Sequence, residues 1–128
     1  MIVALYGSSL AVWLVILSTR VIALRGNPLF KWFAFGHNDK KALDRAIRAQ
    51  GNLIEYAPLF IILLLLAEMM GFSAAALHSF GLAFLIGRVM HGICFGFMRQ
   101  NLFLRIAGTA LTLFPLLGLA IQLLLQSL

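Results

Sequence analysis

The sequence predicts an all-α integral membrane protein, a bundle of four spanning helices forming a single domain over residues 1–128. Three observations predict it. The chain is 62% hydrophobic and only 11% charged, where a soluble domain carries about a quarter charged residues. Met1–Thr19, Met69–Gly87 and Ile106–Leu128 hold no charge at all. Each run approaches or exceeds the ~18 apolar residues of a spanning helix. A fourth run, Tyr56–Ala67, continues a helix that begins upstream.

Helix 1 is expected over about residues 2–24. It has no basic leader, its apolar run is long, and no small-residue cleavage pattern follows, so it is read as a membrane span rather than a secretory signal. Arg20 lies one turn inside its end and is expected to snorkel toward the headgroups. Gly26-Asn27-Pro28 is a stop and turn signal. The aromatic and basic mixture of residues 30–35 suits a headgroup interface. Asn38 or Asp39 is the expected N-cap of helix 2.

Helix 2 is expected over about residues 40–70, longer than a bilayer needs, with its charged first part protruding. Pro58 predicts a local kink near residues 54–58. Helix 3 is expected over about residues 73–97, with Gly92 and Gly96 as a small-residue pair for close helix approach. Helix 4 is expected over about residues 102–126, capped by Asn101 and interrupted by Pro115 and Gly118.

Charge placement orients the bundle. Arg25, Lys31, Lys40, Lys41, Arg45 and Arg48 surround the first connection, and Arg99 and Arg105 the third. The second connection has no basic residue. The positive-inside rule places connections one and three in the cytoplasm and both termini on the opposite side. The formal charge of +6 needs no nucleic-acid partner, because juxtamembrane Lys and Arg are expected of such a protein. The single cysteine, Cys94, excludes an intramolecular disulfide and is read as a small buried hydrophobe. Glu68 reads as interfacial and His78 as structural. No metal motif, phosphate loop or serine–histidine–acid set is present.

Two polar stripes stand out inside the apolar helices. At ~100° per residue, Arg48, Asn52 and Glu55 fall within about 60° on helix 2, and Arg88, His91 and Phe95 within about 60° on helix 3. Arg88 precedes Arg99 by eleven residues, roughly 16 Å along a helix axis, too deep to snorkel easily. Central charges cost ~2.5–3.5 kcal/mol each. The stripes are therefore expected to face each other, with Glu55 near Arg88. Such a cluster is either a binding site or a polar contact that holds helices together. Arg105, in the first turn of helix 4, adds a third cation beside free backbone donors, a favourable setting for an anion.

With these residues in place, the chain resembles the MAPEG family, the membrane-associated proteins in eicosanoid and glutathione metabolism. The segment from Arg48 through Asn52, Glu55 and Tyr56 to Pro58 is similar to the family's helix 2 signature. Gly87-Arg88-Val-Met-His91 is similar to its helix 3 signature. The resemblance covers essentially the whole chain. It implies a four-helix bundle assembled as a homotrimer, with glutathione as co-substrate held between neighbouring subunits near the cytoplasmic side. Carried over by motif position, Arg48, Asn52, Glu55, Tyr56, Arg88 and His91 would hold the tripeptide. Arg105 would be the catalytic arginine. Gly51 stands where some members have a further arginine, and Phe95 where several have tyrosine.

The chemistry is coherent with that resemblance. Arginines suit the two glutathione carboxylates, and a glutamate suits the ammonium. A thiol with a pKa of ~8.5 is mostly protonated at neutral pH, and a nearby arginine favours its thiolate. The leading expectation is a bacterial-type inner-membrane transferase or peroxidase acting on lipophilic electrophiles or hydroperoxides that enter from the lipid. The alternative is a non-catalytic assembly or partner subunit that keeps the fold.

Overall fold

The computed structural model describes residues 1–36, 41–99 and 101–128. Four helices account for nearly all of them: α1 (Ile2–Leu24), α2 (Lys41–Met69), α3 (Ala74–Phe97) and α4 (Leu102–Ser127). A short 3-10 helix, Pro28–Phe33, follows α1. All four long helices are long and apolar enough to cross a membrane. Expected and observed bounds differ by a residue at most. The expected cap at Asn38 or Asp39 lies outside the described residues.

Local chemistry sets the helix ends. Asn101 caps α4, its side-chain oxygen accepting from the Leu104 N–H at 3.0 Å. Ser73 does the same for α3 through the Ala76 N–H at 3.2 Å. Gly71 ends α2 at a φ of +80°, a left-handed conformation that favours glycine. Around it the Phe72 N–H reaches the Ala67 carbonyl and the Gly71 N–H the Glu68 carbonyl, a Schellman closure. α2 stays helical through Pro58.

Pair contacts fix an up-down-up-down bundle. Glu68, at the end of α2, accepts from the Ile2 and Val3 N–H groups at 2.7 and 2.8 Å, so α1 and α2 run antiparallel. The carboxylate thereby satisfies two of the free donors at the start of α1 and meets the positive end of its dipole. Tyr6 pairs with His78 at 2.9 Å between the starts of α1 and α3, so those two run parallel. Arg88 meets Thr112, which sets α4 against α3. The ends that carry Arg25, Lys41 and Arg99 therefore gather at one end of the bundle, and Glu68 and His78 at the other.

α3 is central. It packs on all three other long helices and most extensively on α4, while α1 packs on α2, α3 and the short 3-10 helix among the described residues. The core stacks Phe60 on Phe84 with ring centroids 3.8 Å apart, between Leu53, Leu64, Leu77 and Leu119. Helices α3 and α4 meet backbone to backbone. A Cβ on Gly87 would lie 2.7 Å from the Leu111 carbonyl carbon, and one on Gly108 would lie 2.9 Å from the His91 nitrogen. This pair, rather than Gly92 and Gly96, sets the tightest crossing. Gly92 instead admits the Trp13 indole, and Gly96 admits Leu17.

Arg20 does not snorkel. It is 1% exposed and turns inward to the C-terminal end of α3, where its Nε donates to the Gly96 carbonyl at 3.0 Å. A second nitrogen donates to the Phe33 carbonyl. The Phe35 and Phe97 rings lie 5.0 and 5.1 Å from the guanidinium. Terminal helix carbonyls lack intrahelical partners and carry partial negative charge, so a cation gains more there than by reaching for headgroups. The same contacts tie the segment after α1 over the end of the bundle.

Candidate functional site

Between α2, α3 and α4 lies a cleft of about 440 Å³. α2 contributes Ile47, Arg48, Gly51, Asn52 and Glu55, α3 contributes His91 and Phe95, and α4 contributes Arg105. Behind it is a smaller cavity of about 50 Å³. Tyr56, Arg88, Thr109 and Thr112 line that cavity, and Asn52 and His91 border both spaces. The structure thus brings all seven sequence-derived residues together in two adjoining compartments. Arg48, Glu55 and Arg105 sit in the outer one, Arg88 and Tyr56 in the inner.

Arg88 is the hub, 1% exposed. One terminal nitrogen donates to Asn52 Oδ1 at 2.7 Å and contacts His91 Nδ1 at 3.3 Å. The other donates to Thr112 Oγ1 at 3.2 Å. A guanidinium only donates, so His91 Nδ1 carries a lone pair and the neutral ring bears its proton on Nε2. The Tyr56 ring lies 5.8 Å from the guanidinium carbon. Trp13 reaches in from α1, its indole N–H donating to the Arg88 carbonyl at 3.2 Å.

The expected Glu55–Arg88 ion pair does not form. The two stripes do face each other, but Asn52 is the residue that meets Arg88. Glu55 lies about 60° further round α2 and is exposed on the cleft side. It acts on Arg88 only through its longer-range field. Arg88 is held by neutral partners, which leaves Glu55 available to the cleft.

Charge and shape suit an anionic guest with one cationic group. Three guanidinium groups and one carboxylate line the two compartments, a surplus of two positive charges with His91 neutral. Phe95 stacks on His91 at 4.5 Å, and the Arg105 guanidinium lies 5.9 Å from the Phe95 ring. The cleft floor therefore has an apolar ring between two polar groups. Cys94 stays outside, buried, with its thiol 3.4 Å from the Asn101 carbonyl. Among the described residues no three His, Cys, Asp or Glu side chains converge as for a metal.

Sequence reasoning missed Thr109, Thr112 and Trp13. A signal for the threonines existed. Arg105, Thr109 and Thr112 recur at i, i+4 and i+7, one face of α4. Nothing in the α1 sequence marks Trp13, because its role depends on the glycine opposite.

Comparison with known proteins agrees with this architecture. The MAPEG family model matches residues 3–125. The chain is 37% identical over 91 residues to the "Inner membrane protein YecN" of Escherichia coli K12, a match covering 71% of this chain and 67% of that protein. The protein of the same name from Escherichia coli O6:H1 matches equally well, 37% over 91 residues. No solved structure matches the chain. A family model spanning nearly every residue, on a four-helix bundle with its two polar stripes in register, places the chain in the MAPEG family, to which it belongs.

Proposed function

We propose that the protein is a glutathione-dependent transferase or peroxidase of the bacterial inner membrane, acting on lipophilic electrophiles or hydroperoxides. One observation carries the reading. Arg48, Arg105 and Glu55 converge with Asn52 and His91 on a single cleft backed by Arg88, and the surplus of two positive charges over the two compartments balances the two net negative charges of glutathione thiolate. That ligand has two carboxylates, one ammonium and one thiolate. One of its carboxylates fits Arg48 by paired N–H donation, its ammonium fits Glu55, and its amides fit Asn52. The cleft volume lies within the ~300–1,000 Å³ range of small-molecule sites.

In this reading Arg105 stabilises the thiolate, because a cation near sulfur favours the ionised form. In transfer, the sulfur lone pair forms a carbon–sulfur bond while the leaving group departs with its bonding pair. In peroxide reduction, two glutathione thiols supply two electrons and two protons. The hydroperoxide becomes an alcohol and water, and the thiols become a disulfide.

Arg48, Glu55 and Arg105 are exposed along one flank of the single chain. Charges on a spanning flank are costly against lipid, and a homotrimer would cover them with a neighbouring copy. The basic end of the bundle would face the cytoplasm, with both termini on the other side.

The test is conjugation of glutathione to chlorodinitrobenzene by purified protein, with Arg105→Ala alongside. A wild-type rate well above the variant is expected, and equal rates at background contradict turnover. Binding without turnover is a second reading, favoured by Phe95, which offers the cleft no hydroxyl where it stacks on His91.

A further inference from the structure

The segment after α1 presents a face that the described residues leave uncovered. Its 3-10 helix, Pro28–Phe33, bends at Phe30, where φ is −110°. It turns Phe33 inward onto Phe97, ring centroids 5.5 Å apart. Leu29, Trp32 and Phe35 stay 79%, 69% and 56% exposed. Residues three apart nearly eclipse in a 3-10 helix, so Leu29 and Trp32 share its outer side. Arg25 and Lys31 stand beside this ridge in the chain, both exposed. Neither side chain meets a partner among the described residues. Residues 1–36 hold no acidic side chain at all.

The ridge is held at a fixed height. Buried Arg20 donates to the Phe33 carbonyl, and its guanidinium lies 5.0 Å from the Phe35 ring. Arg20 lies one turn before the end of α1, and Phe97 is the last residue of α3. The segment is therefore level with the ends of two spanning helices. The 23 residues of α1 cover roughly 34 Å, a little more than the ~30 Å hydrocarbon core. That end of the bundle, with the segment bonded to it, stands in the headgroup layer.

We propose that this segment is a docking surface for anionic phospholipid. Leu29, Trp32 and Phe35 enter the acyl boundary, and Arg25 and Lys31 hold the phosphate-bearing headgroup. Tryptophan suits that boundary, with an apolar ring and a polar N–H, and each Lys or Arg near an anionic leaflet is attracted to it. A second copy of the chain fits the face poorly, because it would bring the same cations to the same end. The surface uses no residue of the α2–α3–α4 cleft, so the assignment stands whether or not glutathione binds there.

The experiment is fluorescence quenching of the purified protein in mixed bilayers of phosphatidylglycerol and phosphatidylcholine. The composition is constant, and brominated acyl chains are carried by one lipid or by the other. The chain has two tryptophans, so Trp32→Phe gives the Trp13 signal and the difference reports Trp32. Brominated phosphatidylglycerol is expected to quench Trp32 in preference to brominated phosphatidylcholine. The preference is expected to be about fivefold for each cation. Arg25→Gln and Lys31→Gln, both at exposed positions, are each expected to remove their share of it. Equal quenching by the two lipids would overturn the proposal, as would a preference that survives both substitutions together. So would a Trp32 that neither lipid quenches, which would assign the ridge to a second copy or to another protein.

Discussion

The Arg88 guanidinium donates to Asn52 Oδ1 at 2.7 Å, and this bond joins the polar stripes of α2 and α3. It also fixes which way the Asn52 amide faces, because the oxygen is committed inward and the N–H groups are left for a ligand. Asn52→Leu removes the acceptor while keeping bulk. The expected cost is about 1–3 kcal/mol of stability, from a buried charged donor left unmet, together with weaker glutathione binding. Thermal unfolding and ligand titration of the one variant measure both.

Two glycines on the two sides of the cleft give opposite expectations. A Cβ on Gly108 would stand 2.9 Å from the His91 nitrogen and 3.0 Å from the Gly87 carbonyl oxygen, both backbone atoms that cannot yield locally. Gly108→Ala is therefore expected to destabilise by about 1–3 kcal/mol and to disturb His91. A Cβ on Gly51 meets nothing within 4 Å, so Gly51→Ala is expected to stabilise α2 by up to about 1 kcal/mol. Equal effects in unfolding experiments would contradict the close α3–α4 crossing.

The open space at Gly51 also makes a functional prediction. Gly51→Arg places a further guanidinium on the cleft wall without a steric penalty at Cβ. Glutathione affinity is expected to rise several-fold, since one charge-assisted bond is worth about 1.5–3 kcal/mol less the cost of ordering a long side chain. Phe95→Tyr, on the opposite wall, is expected to raise conjugation rate more than affinity. Steady-state kinetics on the two variants separate these outcomes.

Arg20 and the cleft arginines are expected to behave differently. Arg20→Met strands the Gly96 and Phe33 carbonyls that now accept from it. The expected loss is about 2–3 kcal/mol of stability, with glutathione binding unchanged in the folded fraction. A variant that kept its stability but lost binding would move Arg20 from the scaffold into the site.

Helix number, direction and limits were legible because charge-free runs of spanning length admit few other structures, and because Asn101 caps α4 as its side-chain chemistry suggests. The convergence of Arg48, Asn52, Glu55, Arg88 and His91 was legible because helical spacing fixes the direction of each side chain, whereas Tyr56 entered as a candidate through the family resemblance and Arg105 through its place at the start of α4. Their partners were not. Direction on one helix says nothing about depth on another. The depth of α2 against α3, where Phe60 stacks on Phe84, brings Arg88 to Asn52 instead of Glu55. Arg20 was misjudged for a related reason. The competing attraction, a set of helix-end carbonyls on α3, belongs to a segment 76 residues away.

The most direct test is the melting temperature of the purified protein in detergent as glutathione is added to millimolar concentration, with Glu55→Gln and Arg48→Ala measured beside it. The expected result is a saturable rise for the wild type that both substitutions abolish. No rise at millimolar glutathione, or a rise that survives both substitutions, would contradict glutathione binding in the α2–α3–α4 cleft.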